Sequence, residues 1–212
     1  MAHPWPIFDL RIRTPRLELR APTDDDLLAL LEVARAGVHA PEKMPFLVPW
    51  TDLPSPEFER SFLRFYWGTR AAWTPESWQL PLVVVHDGAP VGIQEIAARD
   101  FATRRTVHTG SWLGRRHQGQ GIGTEMRAAV LVLAFEGLGA LAAESGAVEG
   151  NAASARISER LGYRPNGETT VTPRGTPVVE HRFRLTRADW RRDLVPVGIE
   201  NLAPCLPLFG AA

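Results

Sequence analysis

Apolar and polar residues alternate through FDLRIRTPRLELRAP, residues 8–22, on either side of Pro15, which predicts a first strand with an edge break at the proline. The next stretch, TDDDLLALLEVARAG (23–37), changes to a helical period. Thr23 supplies the cap, Asp24, Asp25 and Asp26 favour the positive end of the helix dipole, and Gly37 marks the exit. Residues 38–56 carry prolines at 41, 45, 49, 54 and 56 and no period, so a long, stiffened surface loop is expected. A second helix is predicted over about Glu57 to Ala72. Its Phe58, Phe62, Phe65, Tyr66 and Trp67 belong to a run of aromatics from Phe46 to Trp78 that fits a substrate groove or, more simply, the apolar stripe any packed helix needs.

Two β-branched runs flank HDGAP (86–90) and predict a hairpin with Gly88 in the turn. RTVHTGSWLG (105–114) reads as a strand, TEMRAAVLVLAFEG (124–137) as an amphipathic helix with Met126, Ala129, Val130 and Leu133 on one face, and ALAAESGAVE (140–149) as another strand. NAASARISERLG (151–162) is a helix opened by Asn151 and closed by Gly162. The last regular element is PVVEHRFRLTRADW (177–190), with Val179, His181, Phe183 and Leu185 on one face. Hairpins followed by a β-loop-α-β-α unit imply an α/β fold with a mixed sheet and helices on both sides. There is no internal repeat. One domain is expected over residues 1–190, with a C-terminal tail over 191–212 that has no period and that wraps the body or reaches a partner subunit.

Composition narrows the partners. In 212 residues, Lys plus Arg equal Asp plus Glu at 24 each, so no global field draws the chain to nucleic acid or an anionic membrane. The single cysteine, Cys205, excludes an internal disulfide framework, and MAHPWPIFDLRIR lacks the apolar core of a signal peptide, which makes the cytoplasm the expected location. No run approaches the roughly 18 apolar residues of a membrane span. No Cys or His pair has metal-ligand spacing, and no metal is expected.

The candidate chemistry lies in RRHQGQGIGTEM (115–126), where Gly119, Gly121 and Gly123 separate a strand from a helix. Such a loop aims several unpaired main-chain N–H groups one way, reinforced by the helix dipole, and is an anion site whose glycines let phosphate oxygens approach. A P-loop needs a different spacing and a lysine. A dinucleotide fingerprint needs its third glycine one residue later, although Glu149 does end a strand, so a nucleotide-dependent redox enzyme is disfavoured.

The stretch resembles the pyrophosphate loop of the GCN5-related N-acetyltransferases, Q/R-x-x-G-x-G/A, matched here by Gln118, Gly121 and Gly123. TGSWLGRRHQGQGIG is similar to the GYWL…QGxGxG run of the branch that contains the ribosomal-protein N-terminal acetyltransferases. NAASARISERLGY is similar to that branch's N-x-x-S…LGF helix, and TPRLELR and FRLTRADW also match, so the resemblance spans roughly residues 8–190. It implies a mostly antiparallel, twisted sheet of six to seven strands and acyl transfer from a coenzyme A thioester to a primary amine in one ternary complex. Acetyl-CoA is the implied donor, with succinyl or another short acyl group as the alternative. The implied acceptor is a protein N-terminus or a small amine, and homodimers or higher homo-oligomers are common in the family.

The resemblance also assigns roles. The strand ending at Trp112, Leu113 and Gly114 would splay from residues 142–148 and pair with the pantetheine arm, with an oxyanion donor in the main-chain N–H near Leu113. The N–H groups of Gln118, Gly119, Gln120, Gly121, Ile122, Gly123 and Thr124 would hold pyrophosphate, while Arg115 and Arg116 either add charge or form a solvated pair. Ser154 would protonate the leaving sulfur and Asn151 would orient the coenzyme, a role compatible with helix capping. Ser158 stands where many members place a tyrosine acid. Where the branch often has a glutamate, this chain has His108, a candidate general base or a packed strand residue. Glu95 and Asp100 are the other candidates, and a water-mediated route without a base stays open, as does a module that binds acyl-CoA without chemistry.

Overall fold

The structure is a computed structural model that describes residues 3–211. Its centre is one nine-stranded sheet, ordered β7-β8-β6-β5-β4-β3-β2-β1-β9. The strands are β1 (Arg11–Arg13), β2 (Leu17–Arg20), β3 (Ser77–His86), β4 (Ala89–Arg99), β5 (Thr106–Leu113), β6 (Ala142–Val148), β7 (Arg164–Val171), β8 (Val178–Thr186) and β9 (Gly198–Glu200). Every neighbouring pair is antiparallel except β5 and β6. The helices are α1 (Asp24–Arg35), α2 (Glu57–Ala71), a single turn α3 (Phe101–Arg104), α4 (Ile122–Val132) and α5 (Ala152–Arg160).

The strand count exceeds the expected six to seven for three reasons visible in the chain. Pro15 does more than break an edge: residues 14–16 reverse direction, so the single strand expected over 8–22 is the antiparallel pair β1 and β2, with Ile12 opposite Leu19. RPNGETTV, almost wholly exposed, forms β7 by pairing with β8 around a bulge between Pro165 and Glu168. Within residues 191–211, Gly198–Glu200 adds β9 to the outer edge of β1, and a 3-10 helix, Ala203–Phe209, buries Cys205 and Phe209.

Local signals account for most of the rest. Thr23 and Asp26 form a reciprocal capping box on α1. Asp87 and Gly88 both have positive φ, the geometry of a tight hairpin turn, between β3 and β4. α4 departs from its amphipathic reading because nearly the whole helix is buried, including Met126, Ala128, Val130, Leu131 and the charged Arg127. It lies against one face of the sheet with Leu82, Ile96, Val107 and Phe183. α1 and α2 cover part of the other face, where Leu27, Leu30, Phe58, Phe62 and Tyr66 pack on Val83, Ile93 and Trp112. The aromatics from Phe46 to Trp78 are therefore mostly core: Trp50 lies 5.7 Å from Trp112 and Phe62 4.8 Å from Tyr66, ring to ring.

Candidate active site

β5 and β6 run side by side only from Thr106 to Thr109 against Ala142 to Ser145. Beyond that point Gly110–Leu113 stays paired with β4 and Gly146–Val148 stays paired with β8, while the two stretches no longer pair with each other. The sheet therefore opens into a wedge whose closed end is at Thr109 and Ser145. Main-chain groups facing the wedge have lost their sheet partners and are available to a ligand.

At the wide end β5 runs into the glycine loop. Gly114 is required for close packing, since a Cβ there would lie 2.5 Å from Val33 Cγ1 of α1. Gly119 and Gly121 have φ of 76° and 81°, a region glycine enters without strain. Gly123 lets α4 approach α5, where a Cβ would meet Ile157 Cδ1 at 2.9 Å. The outcome is a run of five main-chain N–H groups, residues 119–123, that donate to no acceptor among the described residues, whereas those of Gln118 and Thr124 bond Arg115 and Gly121 carbonyls. Five free donors at the start of an 11-residue helix fit a pyrophosphate.

The loop's side chains brace it. Gln118 Nε2 donates to the carbonyls of Val38 (2.7 Å) and Leu113 (2.9 Å), tying the loop both to β5 and to the segment after α1. Gln120 Nε2 donates to Arg116 O, and Arg116 Nε donates to His117 Nε2 at 2.9 Å. Ile122 and Leu113 are buried. On α5, Asn151 Oδ1 accepts from Ser154 N at 3.2 Å, a helix cap, and Ser154 Oγ reaches Gly146 O at 3.4 Å, on the β6 side of the wedge.

On the opposite face Trp112 turns its indole away from the loop and donates Nε1–H to Tyr66 Oη at 3.0 Å. Beside Tyr66 lies Glu95, paired with Gly110 across β4 and β5; its Oε1 would stand 3.8 Å from a Cβ on Gly110. Gln79 Nε2 donates to Glu95 Oε2 at 2.7 Å. Burial pushes the Glu95 carboxyl above the usual carboxylate range, only partly opposed by that hydrogen bond. Burial likewise raises the Tyr66 phenol. His108 sits two residues before Gly110 on the same face, in the closed part of the sheet, 52% exposed, with Nε2 3.3 Å from Glu144 Oε2. Glu144 in turn pairs with Arg184 at 2.6 Å. Asp100 is at the far end of β4, five residues from Glu95 and roughly 15 Å along the strand, where it begins α3. Among the described residues no group of three or more His, Cys, Asp or Glu is placed to hold a metal ion, and no helix is long and apolar enough to cross a membrane.

Loop 38–56 borders this face. It folds over a cleft of about 360 Å³ lined by Val38, His39, Thr51, Asp52 and Phe58. Arg174, in the turn between β7 and β8, spans to it: Nε and Nη2 grip both oxygens of Asp52 at 2.6 and 2.7 Å, and Nη2 also donates to Pro41 O. Sequence alone carried no signal for this bridge, nor for the way Glu95 is buried.

A sheet opened at its one parallel pair, with a free amide ladder at the wide end, defines an acyltransferase that works on coenzyme A thioesters. The chain belongs to the acetyltransferase (GNAT) domain family, whose model matches residues 16–164, and it is an enzyme of the N-acetyltransferase class. Solved structures share the fold. Mycobacterium smegmatis RimJ, in complex with a coenzyme A disulfide, has 21% identity and a TM-score of 0.71 over 86% of this chain and 90% of its own. A Vibrio cholerae protein provisionally assigned as a ribosomal-protein-serine acetyltransferase has 23% identity and 0.66 over 84% and 98%. RimL, a ribosomal alpha-N-protein acetyltransferase, has 16% identity and 0.64 over 82% and 91%.

Proposed function

We propose that this enzyme moves a short acyl group from coenzyme A to a primary amine by direct attack, with the donor entering from the α4–α5 face and the amine from the α1–α2 face. The observation that carries the reading is the run of free N–H groups at residues 119–123, set at the mouth of the wedge. Those amides hold the pyrophosphate, with Arg116 at the start of the loop adding charge, and Gly110–Leu113 lends its main chain to the pantetheine arm and the thioester.

Chemistry at the wedge then uses residues from both faces. The neutral amine attacks the thioester carbonyl carbon; the C–N bond forms, the oxyanion is held by a main-chain N–H near Leu113, and collapse breaks the C–S bond. The attacking nitrogen loses a proton. Glu95 is the better-placed acceptor for it: its carboxyl lies over Gly110, at the first open residue of the wedge, and burial has raised its proton affinity. His108, beside the closed part of the sheet and engaged with Glu144, is the less well-placed proton acceptor in this reading. The leaving sulfur takes a proton relayed through Ser154 Oγ, which reaches the β6 side of the wedge and regains its own proton from water as it gives one up, and Asn151 holds the start of α5 in place for it.

The acceptor class is a primary amine, either a protein N-terminus, as the likeness to RimJ and RimL suggests, or a small molecule. Calorimetric titration of coenzyme A into the wild type and Gly121→Glu tests the reading. Micromolar binding abolished by the glutamate supports it, since that side chain projects an acid into the amide ladder at a residue with φ of 81°. Absence of binding to the wild type would overturn it. Thiol release with a panel of peptide N-termini and small amines then selects the acceptor.

A further inference from the structure

The interior beneath the wedge holds a charge that the transfer step does not use. Arg127 of α4 is 2% exposed, yet no carboxylate among the described residues lies within ion-pair distance of it. Its guanidinium makes do with hydroxyls: Nη1 donates to Ser158 Oγ at 3.0 Å and Ser145 Oγ at 3.2 Å, and Nη2 to Ser111 Oγ at a long 3.4 Å. Nε has no acceptor. Gln94, fully buried and opposite Ser111 in the β4–β5 register, gives its Nε2 to Gly110 O and Glu95 O and leaves Oε1 without a donor. Burial holds Arg127 below the ordinary guanidinium range. Its surroundings are polar but neutral, the three serines with the Tyr163 phenol and Thr109 nearby, and a cation removed from water with no counter-ion is costly to keep and favours an anion that completes it.

Place and orientation say which anion. Ser145 is the last paired residue of β6 and Ser111 the second open residue of β5, so the guanidinium underlies the closed end of the wedge. The edge with spare capacity is Nε and Nη2, the side-on pair that grips a carboxylate with two parallel hydrogen bonds. The pyrophosphate site is at the opposite, wide end, so a thioester lying along β5 directs its acyl chain toward Arg127. We infer that the acyl group this enzyme prefers ends in a carboxylate, a dicarboxylic half-thioester of the succinyl kind, and that Arg127 receives that carboxylate at Ser111. The inference rests on the acyltransferase reading and narrows its donor. The three serines around the guanidinium are small, and a hydroxyl that turns away releases a donor without moving the backbone. Transfer itself is unaltered: the amine displaces the thiol at the carbonyl carbon, and the distal carboxylate passes unchanged into the product amide, which exchanges a positive amine for a negative terminus.

Butyryl-CoA is the matched probe, with four acyl carbons like succinyl and no distal charge. Specificity constants for succinyl- and butyryl-CoA with one amine acceptor are expected to differ on the order of 100-fold in favour of succinyl in the wild type, as expected when a site built to bind a polar group is denied it. Arg127→Met, of similar length and no charge, should bring the ratio near one. A wild-type ratio at or below one overturns the inference, as does a ratio that survives in Arg127→Met. Should that variant not fold, Ser111→Leu, which obstructs the approach to the guanidinium, is expected to lose the preference in its place, and a retained ratio there overturns the inference equally. Free coenzyme A in the same calorimeter separates the two levels: binding without succinyl preference removes only this inference, and no binding removes the acyltransferase reading as well.

Discussion

Arg16 and Glu125, 109 residues apart in sequence, are joined through both carboxylate oxygens, with Arg16 Nε at 2.7 Å and Nη2 at 2.5 Å from Oε2 and the Arg16 main-chain N–H donating to Oε1 at 3.3 Å. Glu125 is buried on the first turn of α4, and its Oε1 also accepts from Thr14 Oγ1 at 2.6 Å. Arg16 Nη1 continues to Gln120 O. The turn between β1 and β2 thus holds the glycine loop from behind. Arg16→Met leaves a buried carboxylate short of partners, at a cost of about 1–3 kcal/mol. A lower Tm together with coenzyme A affinity weakened by about tenfold is expected; unchanged affinity in calorimetry would show that the loop holds its shape unaided.

Glu95→Gln should separate activity from stability. As the proton acceptor, Glu95 contributes on the order of 100-fold or more to kcat/KM, and the acidic limb of the wild-type profile should lie above the ordinary glutamate range because its burial raises the carboxyl. The stability effect runs the other way. A carboxyl whose folded value is raised favours folding below the unfolded value, and that advantage is lost as pH rises through the folded value. Near pH 7 the glutamine variant, which ionises nothing, should therefore melt higher than the wild type, with the gap closing as pH falls through the carboxylate range. A Tm difference independent of pH would contradict this.

Arg174→Ala cuts the bridge from the β7–β8 turn to loop 38–56. Asp52, held below the usual carboxylate range chiefly by its hydrogen bond to Arg174, is a surface partner, so the loss of stability should be under about 1 kcal/mol. Kinetics should respond more. KM for the acceptor is expected to move several-fold while KM for the acyl donor stays put, and the wild-type acceptor KM should drift toward the variant's value in high salt as the pair is screened. Equal changes in both constants would place the bridge's effect elsewhere.

Phe209→Ala tests the last helix. The ring is fully buried, 4.8 Å from Trp78 and 5.4 Å from Trp73, and Trp78 Nε1 donates to Phe209 O at 3.1 Å. Removing it should cost about 3–5 kcal/mol in denaturant titration. A loss below about 1 kcal/mol would mean that residues 203–209 pack only loosely.

Much of the scaffold is written locally. The capping box at Thr23, the Asp87–Gly88 turn and the Asn151 cap each depend on a few adjacent residues, and so does the glycine loop, because a run of glycines between a strand and a helix specifies backbone geometry directly. What sequence pattern does not carry is long-range. β7 is polar along nearly its whole length and holds a proline and a glycine, so it is a strand only because β8 offers it hydrogen bonds. Gly198–Glu200 is too short to show a period. Arg127 reads as a polar position on an amphipathic helix; its burial follows from the sheet and α5 closing over it from two sides, as the burial of Glu95 follows from Tyr66 and Gln79.

The position of β9 sets an order of events for the nascent chain. Arg11 precedes its β9 partner Glu200 by 189 residues, and Trp73 and Trp78 precede the carbonyls they bond, those of Leu208 and Phe209, by 135 and 131. While the intervening chain is made, the edge of β1 and an indole cluster stand uncovered. An open strand edge beside exposed indoles is an aggregation hazard that persists until Gly198–Glu200 and residues 203–209 shut that flank.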